Sequence, residues 1–184
     1  MKKFLCMMMA VLMVLAMAAC GGEPANNGGN DTPDATTVKI GGIGPLTGAY
    51  ANYGLSEKNG AELAVKEINE AGGIAGKQIE LSYQDSQGES ESAVNAYGKL
   101  MDWGMNISLG GVLSGETASI VAAARDDDVL LLTPSGSADK CIDGNDKAFR
   151  VCFYDSYQGA AAAQYIKDNN MVDTVGILYQ SDND

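Results

Sequence analysis

The chain has 184 residues, with 12 Lys and Arg against 24 Asp and Glu, a formal net charge of −12 and no histidine. So acidic a balance argues against a nucleic-acid partner, which needs a cationic face. The lack of histidine removes the commonest general base and the commonest zinc ligand, and the four cysteines are too scattered to build a metal cluster.

Lys2 and Lys3 open the chain, an apolar run follows from Phe4 to Ala16, and Met17-Ala18-Ala19 precede Cys20. A positive n-region, a core of about 13 residues and small residues before a cut make residues 1–19 an export signal, with a core too short to span a bilayer. Cys20 just after that cut resembles a bacterial lipobox, in which the cysteine is acylated and becomes the new N-terminus. That pattern usually has Leu three places before the cysteine, where this chain has Met17. Gly21 to Thr36 is Gly, Asn, Asp, Pro and Thr with almost no apolar residue, so residues 20–37 read as a lipidated cysteine and a flexible tether. Such an arrangement holds a domain beside the outer face of a membrane without inserting it. In an exported chain Cys141 and Cys152 either form a disulfide closing a short loop or remain two free buried thiols.

From Val38 onward short β-branched runs alternate with helical periods. Val38 to Ile43 reads as a strand, and Gly60 to Ala71 as a helix with Ala61, Ala64, Val65 and Ile68 on one face, stopped by Gly72-Gly73. Glu62 and Lys66 stand four apart on its outer face as an ion pair. Ile79 to Tyr83 is the next strand, and Glu89 to Trp103 the next helix, with Ala93, Tyr97, Leu100 and Met101 inward. Ile107 to Leu113, Thr117 to Asp127 and Val129 to Leu132 follow as strand, helix and strand. This alternation predicts an α/β fold, a parallel sheet with helices on both faces, as the first lobe over residues 38–148. Phe149 to Phe153 reads as the opening strand of a second α/β lobe, 149–184. Asp155-Ser156-Tyr157-Gln158 starts a helix through Asp168, and Thr174 to Tyr179 is a further strand. A second series that stops one strand after it begins reads as the start of a longer protein, or a truncated gene product.

Gly42-Ile43-Gly44-Pro45-Leu46-Thr47-Gly48 looks superficially like a dinucleotide fingerprint. The spacing is GxGxxxG, Pro45 removes an amide that should face a pyrophosphate, and no acid ends the second strand at the expected distance, so a tight Gly-Pro turn is the better reading. Two later loops lie at the carboxyl ends of adjacent strands, where open α/β sheets bind ligands. In Leu113-Ser114-Gly115-Glu116-Thr117, Ser114 is set to act as a helix N-cap with free amides behind it, a natural carboxylate site. In Thr133-Pro134-Ser135-Gly136-Ser137, hydroxyls and backbone carbonyls crowd a turn. A zwitterionic amino acid needs both, donors for its carboxylate and oxygens for its ammonium. The acidic runs Asp126-Asp127-Asp128 and Asp182 to Asp184 read as solvated surface, and Glu116 as a first-turn acid complementing the helix dipole.

IGPLTGAYANYG ending at Gly54, GAELAVKEINEAGGIAGKQIEL from Gly60, TPSGSA from Thr133 and FRVCFYDSYQGAAAAQYI from Phe149 together resemble the leucine/isoleucine/valine-binding family of exported solute receptors. The resemblance runs from about Val38 to the end. It implies two α/β lobes joined by a hinge, a Rossmann-like periplasmic-binding-protein fold whose second lobe is only begun here. It also implies an amino acid, a branched aliphatic one, captured in the cleft by domain closure and delivered to an ABC importer, that is, a permease with its ATPase subunits. Carried over residue by residue, it makes Ser114 the carboxylate ligand, gives Ser135 a backbone carbonyl for the ammonium, and gives Ser137 an amide and a hydroxyl. Tyr53 lines the side-chain pocket, with Val112 and Leu113 as its apolar wall. The cysteine pair usual in the family is missing, since Gln87 or Gly88 and Leu113 stand in its places, so any bond between Cys141 and Cys152 would staple a different loop. The carboxylate that usually completes ammonium binding belongs to the second lobe.

The reading is therefore an exported solute-binding protein without catalysis, cofactor or metal, periplasmic or lipid-anchored on the outer face of the cytoplasmic membrane. Two other classes carry the same cleft: a sensory ligand-binding domain for an amino acid or amide, and an exported enzyme working with Asp or Glu alone.

Overall fold

The computed structural model describes residues 37–179. The export signal, Cys20, the tether through Thr36 and the Asp182–Asp184 run lie outside the described residues. Five strands, β1 (Thr37–Gly44), β2 (Gln78–Asp85), β3 (Ile107–Gly110), β4 (Leu130–Thr133) and β5 (Ala148–Arg150), form one sheet in the order β2-β1-β3-β4-β5. Every pairing is parallel, from Gly42 opposite both Tyr83 and Leu109 to Leu132 opposite Phe149. Helices α1 (Ala51–Glu70), α2 (Ser90–Asp102) and α3 (Ser114–Ala123) are the crossovers, and α4 (Asp155–Asp168) follows β5. The chain leaves β1 for β2 on one side and returns past β1 to β3 on the other, so the topological switch lies between β1 and β3.

The core forms where the sequence periodicities agree. Ala93, Ala96, Tyr97 and Leu100 of α2 and Ile120 and Val121 of α3 are buried with Ile43, Met105, Val129, Leu131 and Ala148, and Met101 packs against their edge. Each fully buried Leu or Ile contributes about 1.5–3 kcal/mol relative to an exposed one. The Tyr97 hydroxyl keeps a partner by donating to Asp127 at 2.7 Å.

Several expectations change. Helix α1 begins at Ala51, well before Gly60, and its only buried residue is Gly54. A Cβ there would stand 2.1 Å from the Pro45 carbonyl oxygen, so this glycine lets the helix press on the turn after β1. On the expected inner face Ala61 and Val65 are half-buried, whereas Ala64 and Ile68 are exposed. Glu62 pairs back with Lys58, and Lys66 with Glu70, rather than with one another. Helix α3 begins at Ser114 and ends at Ala123, ahead of the range expected for it. The strand expected at Phe149–Phe153 is β5, which ends at Arg150 and extends the first sheet beside β4. The segment expected as a strand at Thr174–Tyr179 has none, with Ile177 84% and Leu178 101% exposed. Its β-branched pattern suits a strand, but a ladder also needs a neighbour to take its N–H and C=O groups.

Candidate functional site

The turn after β1 is closed by its own carboxylate. Asp85, the last residue of β2, accepts from the amides of Leu46 at 2.8 Å and Thr47 at 3.3 Å and from the Thr47 hydroxyl at 2.6 Å. Burial alone would raise its pKa, but these donors and the Gln87 amide carry it below the ordinary carboxylate value. The amides that would cradle a phosphate are thus occupied, and a Cβ on Gly42 would strike the Tyr83 ring at 2.1 Å. The glycines of this motif serve strand packing and a turn, as the Gly-Pro reading expects.

The loops after β3 and β4 are locked together by hydroxyls. Thr117 Oγ donates toward the Gly111 and Leu113 carbonyls, both at 2.9 Å, and Thr133 Oγ donates to Gly111 O at 2.7 Å while accepting from the Gly136 amide at 2.8 Å. Gly111 has φ +75°, and a Cβ there would stand 2.1 Å from Thr117 Oγ. Arg150, at the end of β5, gathers the next turn: its guanidinium donates to the carbonyls of Gly136, Ser137, Ala138 and Asp139 at 3.0–3.1 Å and lies over the Tyr154 ring. The Ser135 carbonyl receives no such donor among the described residues.

These loops wall a cleft of about 810 Å³ at the carboxyl edge of the sheet, beside the switch point. Tyr53 from α1, Val112, Leu113 and Ser114 from the β3–α3 turn, and Ser135 and Ser137 from the β4 turn all line it. Its size falls within the roughly 300–1,000 Å³ of small-molecule sites. Tyr53 is 64% exposed at the rim, with Tyr50 48% exposed beside it, whereas Val112 is buried. Ser114 differs in role from the N-cap expected for it. Leu113 occupies the extended cap position, Ser114 is the first helical residue, and its hydroxyl accepts from the Ala138 amide at 3.1 Å, tying α3 to the β4 turn. The first amides of α3 have no partner within the helix, and Ser114, Gly115 and Glu116, which carry them, all line the cleft.

Sequence reasoning missed the buried carboxyls that brace the cleft wall, of which Glu116 also lines the cleft. Glu116 is 1% exposed, accepts from the Ser86 hydroxyl at 2.5 Å and the Leu113 amide at 3.1 Å, and so joins the loops after β2 and β3. Burial raises its pKa, opposed by the Ser86 hydroxyl and the amides of Leu113, Val112 and Gly88. Reading Glu116 as a dipole-complementing acid captures its place in the first turn but not this cross-link. Glu57, one helical turn after Tyr53 on α1, is half-buried, with Oε1 2.5 Å from Ser135 Oγ. Burial raises its pKa most, the Ser135 contact opposes this, and the charge of Glu116 adds to the rise. Tyr83 is pushed far up as well, by burial and then by Glu57 and Glu116. The turn-length step from Tyr53 to Glu57 was the available signal. The partner Ser135, 78 residues away, was not readable from spacing.

Cys141 and Cys152 are free thiols that converge on one acceptor, the Gly136 carbonyl, at 3.2 and 3.3 Å. Burial pushes the Cys141 thiol up.

Residues 37–184 match the family model described as periplasmic binding protein. The chain is 38% identical over 133 residues to the Leu/Ile/Val-binding protein BraC3 of Rhizobium johnstonii, covering 72% of this chain and 36% of that relative. It is 33% identical over 146 residues to the leucine-, isoleucine-, valine-, threonine- and alanine-binding protein of Pseudomonas aeruginosa, covering 79% and 39%. Among solved structures, the branched-chain amino acid transporter substrate-binding protein LivJ of Streptococcus pneumoniae, in complex with isoleucine, is similar with 39% identity and a TM-score of 0.67, covering 72% of this chain and 38% of that one. The leucine-binding protein LivK of Thermotoga maritima is similar with 30% identity and a TM-score of 0.66, covering 73% and 38%. The chain thus spans under half the length of the relatives it matches. A parallel sheet in the order 2-1-3-4-5, a cleft at its switch point and a family match over residues 37–184 lead to one conclusion: the chain belongs to the periplasmic binding protein family.

Proposed function

We propose that this chain forms the first-lobe wall of an amino-acid site in an extracytoplasmic solute receptor that serves an ABC importer and performs no covalent chemistry. The observation that carries the reading is the convergence of Tyr53, Val112, Leu113, Ser114, Ser135 and Ser137 on one cleft. The first amides of α3, the Ser114 hydroxyl, whose proton its contact with the Ala138 amide leaves over, and the Ser137 hydroxyl offer donors for a carboxylate, and the Ser135 carbonyl, without a donor among the described residues, offers an acceptor for an ammonium. Val112 and Leu113 present the apolar surface an aliphatic side chain needs. The isoleucine bound by the Streptococcus pneumoniae relative supports a branched-chain ligand here. Residues 151–184 begin a second lobe that closes over the ligand about a hinge, and the closed form is the one a permease and its ATPase subunits accept. Acylation at Cys20 would keep the receptor at the outer membrane face beside that importer.

Titration calorimetry of protein carrying both lobes, with isoleucine, leucine and valine, tests this. Hydrogen bonds to charged groups contribute about 1.5–3 kcal/mol each, so Ser114→Ala with Ser137→Ala should weaken binding at least 100-fold. Unchanged affinity in that double variant would reject the site.

A further inference from the structure

Ser135 Oγ touches two oxygens, Glu57 Oε1 at 2.5 Å and the Val112 carbonyl at 2.7 Å. A hydroxyl has one proton to donate, and a carbonyl has none. If Glu57 were ionised, its carboxylate and the Val112 carbonyl would have to share that one proton, although both stand closer than the 2.9 Å at which the Thr117 hydroxyl is shared between two carbonyls. A proton on Glu57 satisfies both, with Glu57 donating to Ser135 and Ser135 donating to Val112. A second observation agrees. Glu57 Oε2 is buried and has no hydrogen-bond partner among the described residues, a poor place for half of a carboxylate charge and a far cheaper one for the carbonyl oxygen of a neutral acid.

We propose that Glu57 is a neutral carboxylic acid in the folded protein, and that the proton chain Glu57 to Ser135 to the Val112 carbonyl positions the β4 turn of the cleft. Among the described residues the charged or titratable groups that act on Glu57 from other elements are the Glu116 carboxyl on α3 and the Tyr83 phenol on β2, neither of them a cation. Its neighbour Lys58 is engaged by Glu62. Glu116 takes the opposite state. Its oxygens meet only donors, the Ser86 hydroxyl and backbone amides, which suits the ionised form. Two buried acids of one type thus divide the work: Glu116 holds the negative charge and Glu57 the proton. Burial and the Glu116 charge both raise the Glu57 pKa, in keeping with this division. The proton chain joins α1 to both ligand turns and holds Ser135 in the cleft wall through its side chain rather than its backbone carbonyl, which makes Glu57 a positioning residue.

A group with a raised folded-state pKa contributes stability that is fully present below its unfolded value and is lost as pH rises through the folded one. Thermal unfolding of the full chain should therefore show the midpoint falling on the alkaline side of the ordinary glutamate range. Glu57→Gln, whose carboxamide keeps a donor and cannot ionise, should flatten that fall, and Glu57→Ala should lower the midpoint at every pH. Infrared spectroscopy at neutral pH should show a protonated-carboxyl stretch that Glu57→Gln removes and Ser135→Ala shifts. No such Glu57-dependent band, or the same pH slope in wild type and Glu57→Gln, overturns the proposal. A ligand arm, run on protein carrying both lobes, rests on the amino-acid reading proposed for this cleft: isoleucine affinity should fall on the same alkaline side, and that fall should vanish in Glu57→Gln. Isoleucine binding absent at every pH, with the band and the stability profile intact, supports the proton on Glu57 and rejects the ligand reading.

Discussion

Two regions of the described chain, the turns that follow β3 and β4 and the segment beyond β5, behave differently. In the turns after β3 and β4, the Gly111 carbonyl, the Thr117 and Thr133 hydroxyls and the Arg150 guanidinium interlock, with both threonines 2% exposed. Beyond β5, α4 buries no residue, Tyr157 and Tyr165 are 67% and 63% exposed, and the segment after it forms no strand. The tail carries the larger apolar and aromatic side chains, so apolar content alone does not decide which region is held in place. What separates them is a set of polar side chains that find partners across strands, which turns loops into a wall. Past the first turn of α4, where the Asp155 amide donates to the Ser137 carbonyl and the Ser156 amide to the Asp139 carboxylate, the tail makes no such interlock among the described residues.

The largest test of the contrast is Gly111→Ala. The new Cβ enters at φ +75°, 2.1 Å from Thr117 Oγ and 2.5 Å from Thr117 Cα, so neither a rotamer change nor a small shift relieves it. Left-handed backbone at a residue with a Cβ costs about 1–2 kcal/mol and overpacking about 1–3 kcal/mol more. Urea unfolding should therefore show a loss of about 3 kcal/mol. A loss below about 1 kcal/mol would mean that the turn yields as freely as the tail, and the contrast would fail.

The same contrast explains what the sequence made legible. Ala93, Tyr97 and Leu100 announced their burial because a helix packed on a sheet imposes one period on all of them. The strands of the sheet were readable for a similar reason, and so were the two serine turns that follow β3 and β4. The mechanism inside those turns was not. Ser114 looked like an N-cap because hydroxyl residues usually are, but the extended Leu113 takes that position and Glu116 returns to the Leu113 amide. Glu57 was invisible because its meaning depends on Ser135, which only the completed sheet brings to it. Thr174–Tyr179 misled in the other direction. Its local pattern is that of a strand, and pairing is a property of the neighbour rather than of the segment.

A middle-sized effect comes from the thiols under the β4 turn. Because Cys141 and Cys152 share the Gly136 carbonyl, we expect mild oxidation of the purified chain to join them, read by mass and loss of free thiol. Closing so short a loop stabilises by about 2–3 kcal/mol in the chain-entropy account, and Cys141→Ser with Cys152→Ser should remove the difference between oxidised and reduced samples. The burial that raises the Cys141 pKa keeps its reactive thiolate scarce, so the bond should form slowly near neutral pH and faster as pH rises. Two thiols persisting after prolonged oxidation would show that the wall is too rigid to let the sulfurs meet.

The smallest expected effect lies in the tail. Tyr165 sits on α4 at 63% exposure, and the helix propensities of Tyr and Ser are close, so Tyr165→Ser changes little beyond one exposed ring. Unfolding of the 184-residue chain should shift by no more than about 0.5 kcal/mol, against the loss expected at Gly111. A shift several times larger would mean that α4 packs in solution against a surface it does not touch in the fold described above, and the division between wall and tail would have to be drawn later in the chain. A shift near zero in this chain, combined with a clear loss when the same substitution is made in protein carrying both lobes, would assign the Tyr165 face to the second lobe. The ring would then be exposed because its partner surface belongs to that lobe, not because the helix is a solvent-facing end of the first.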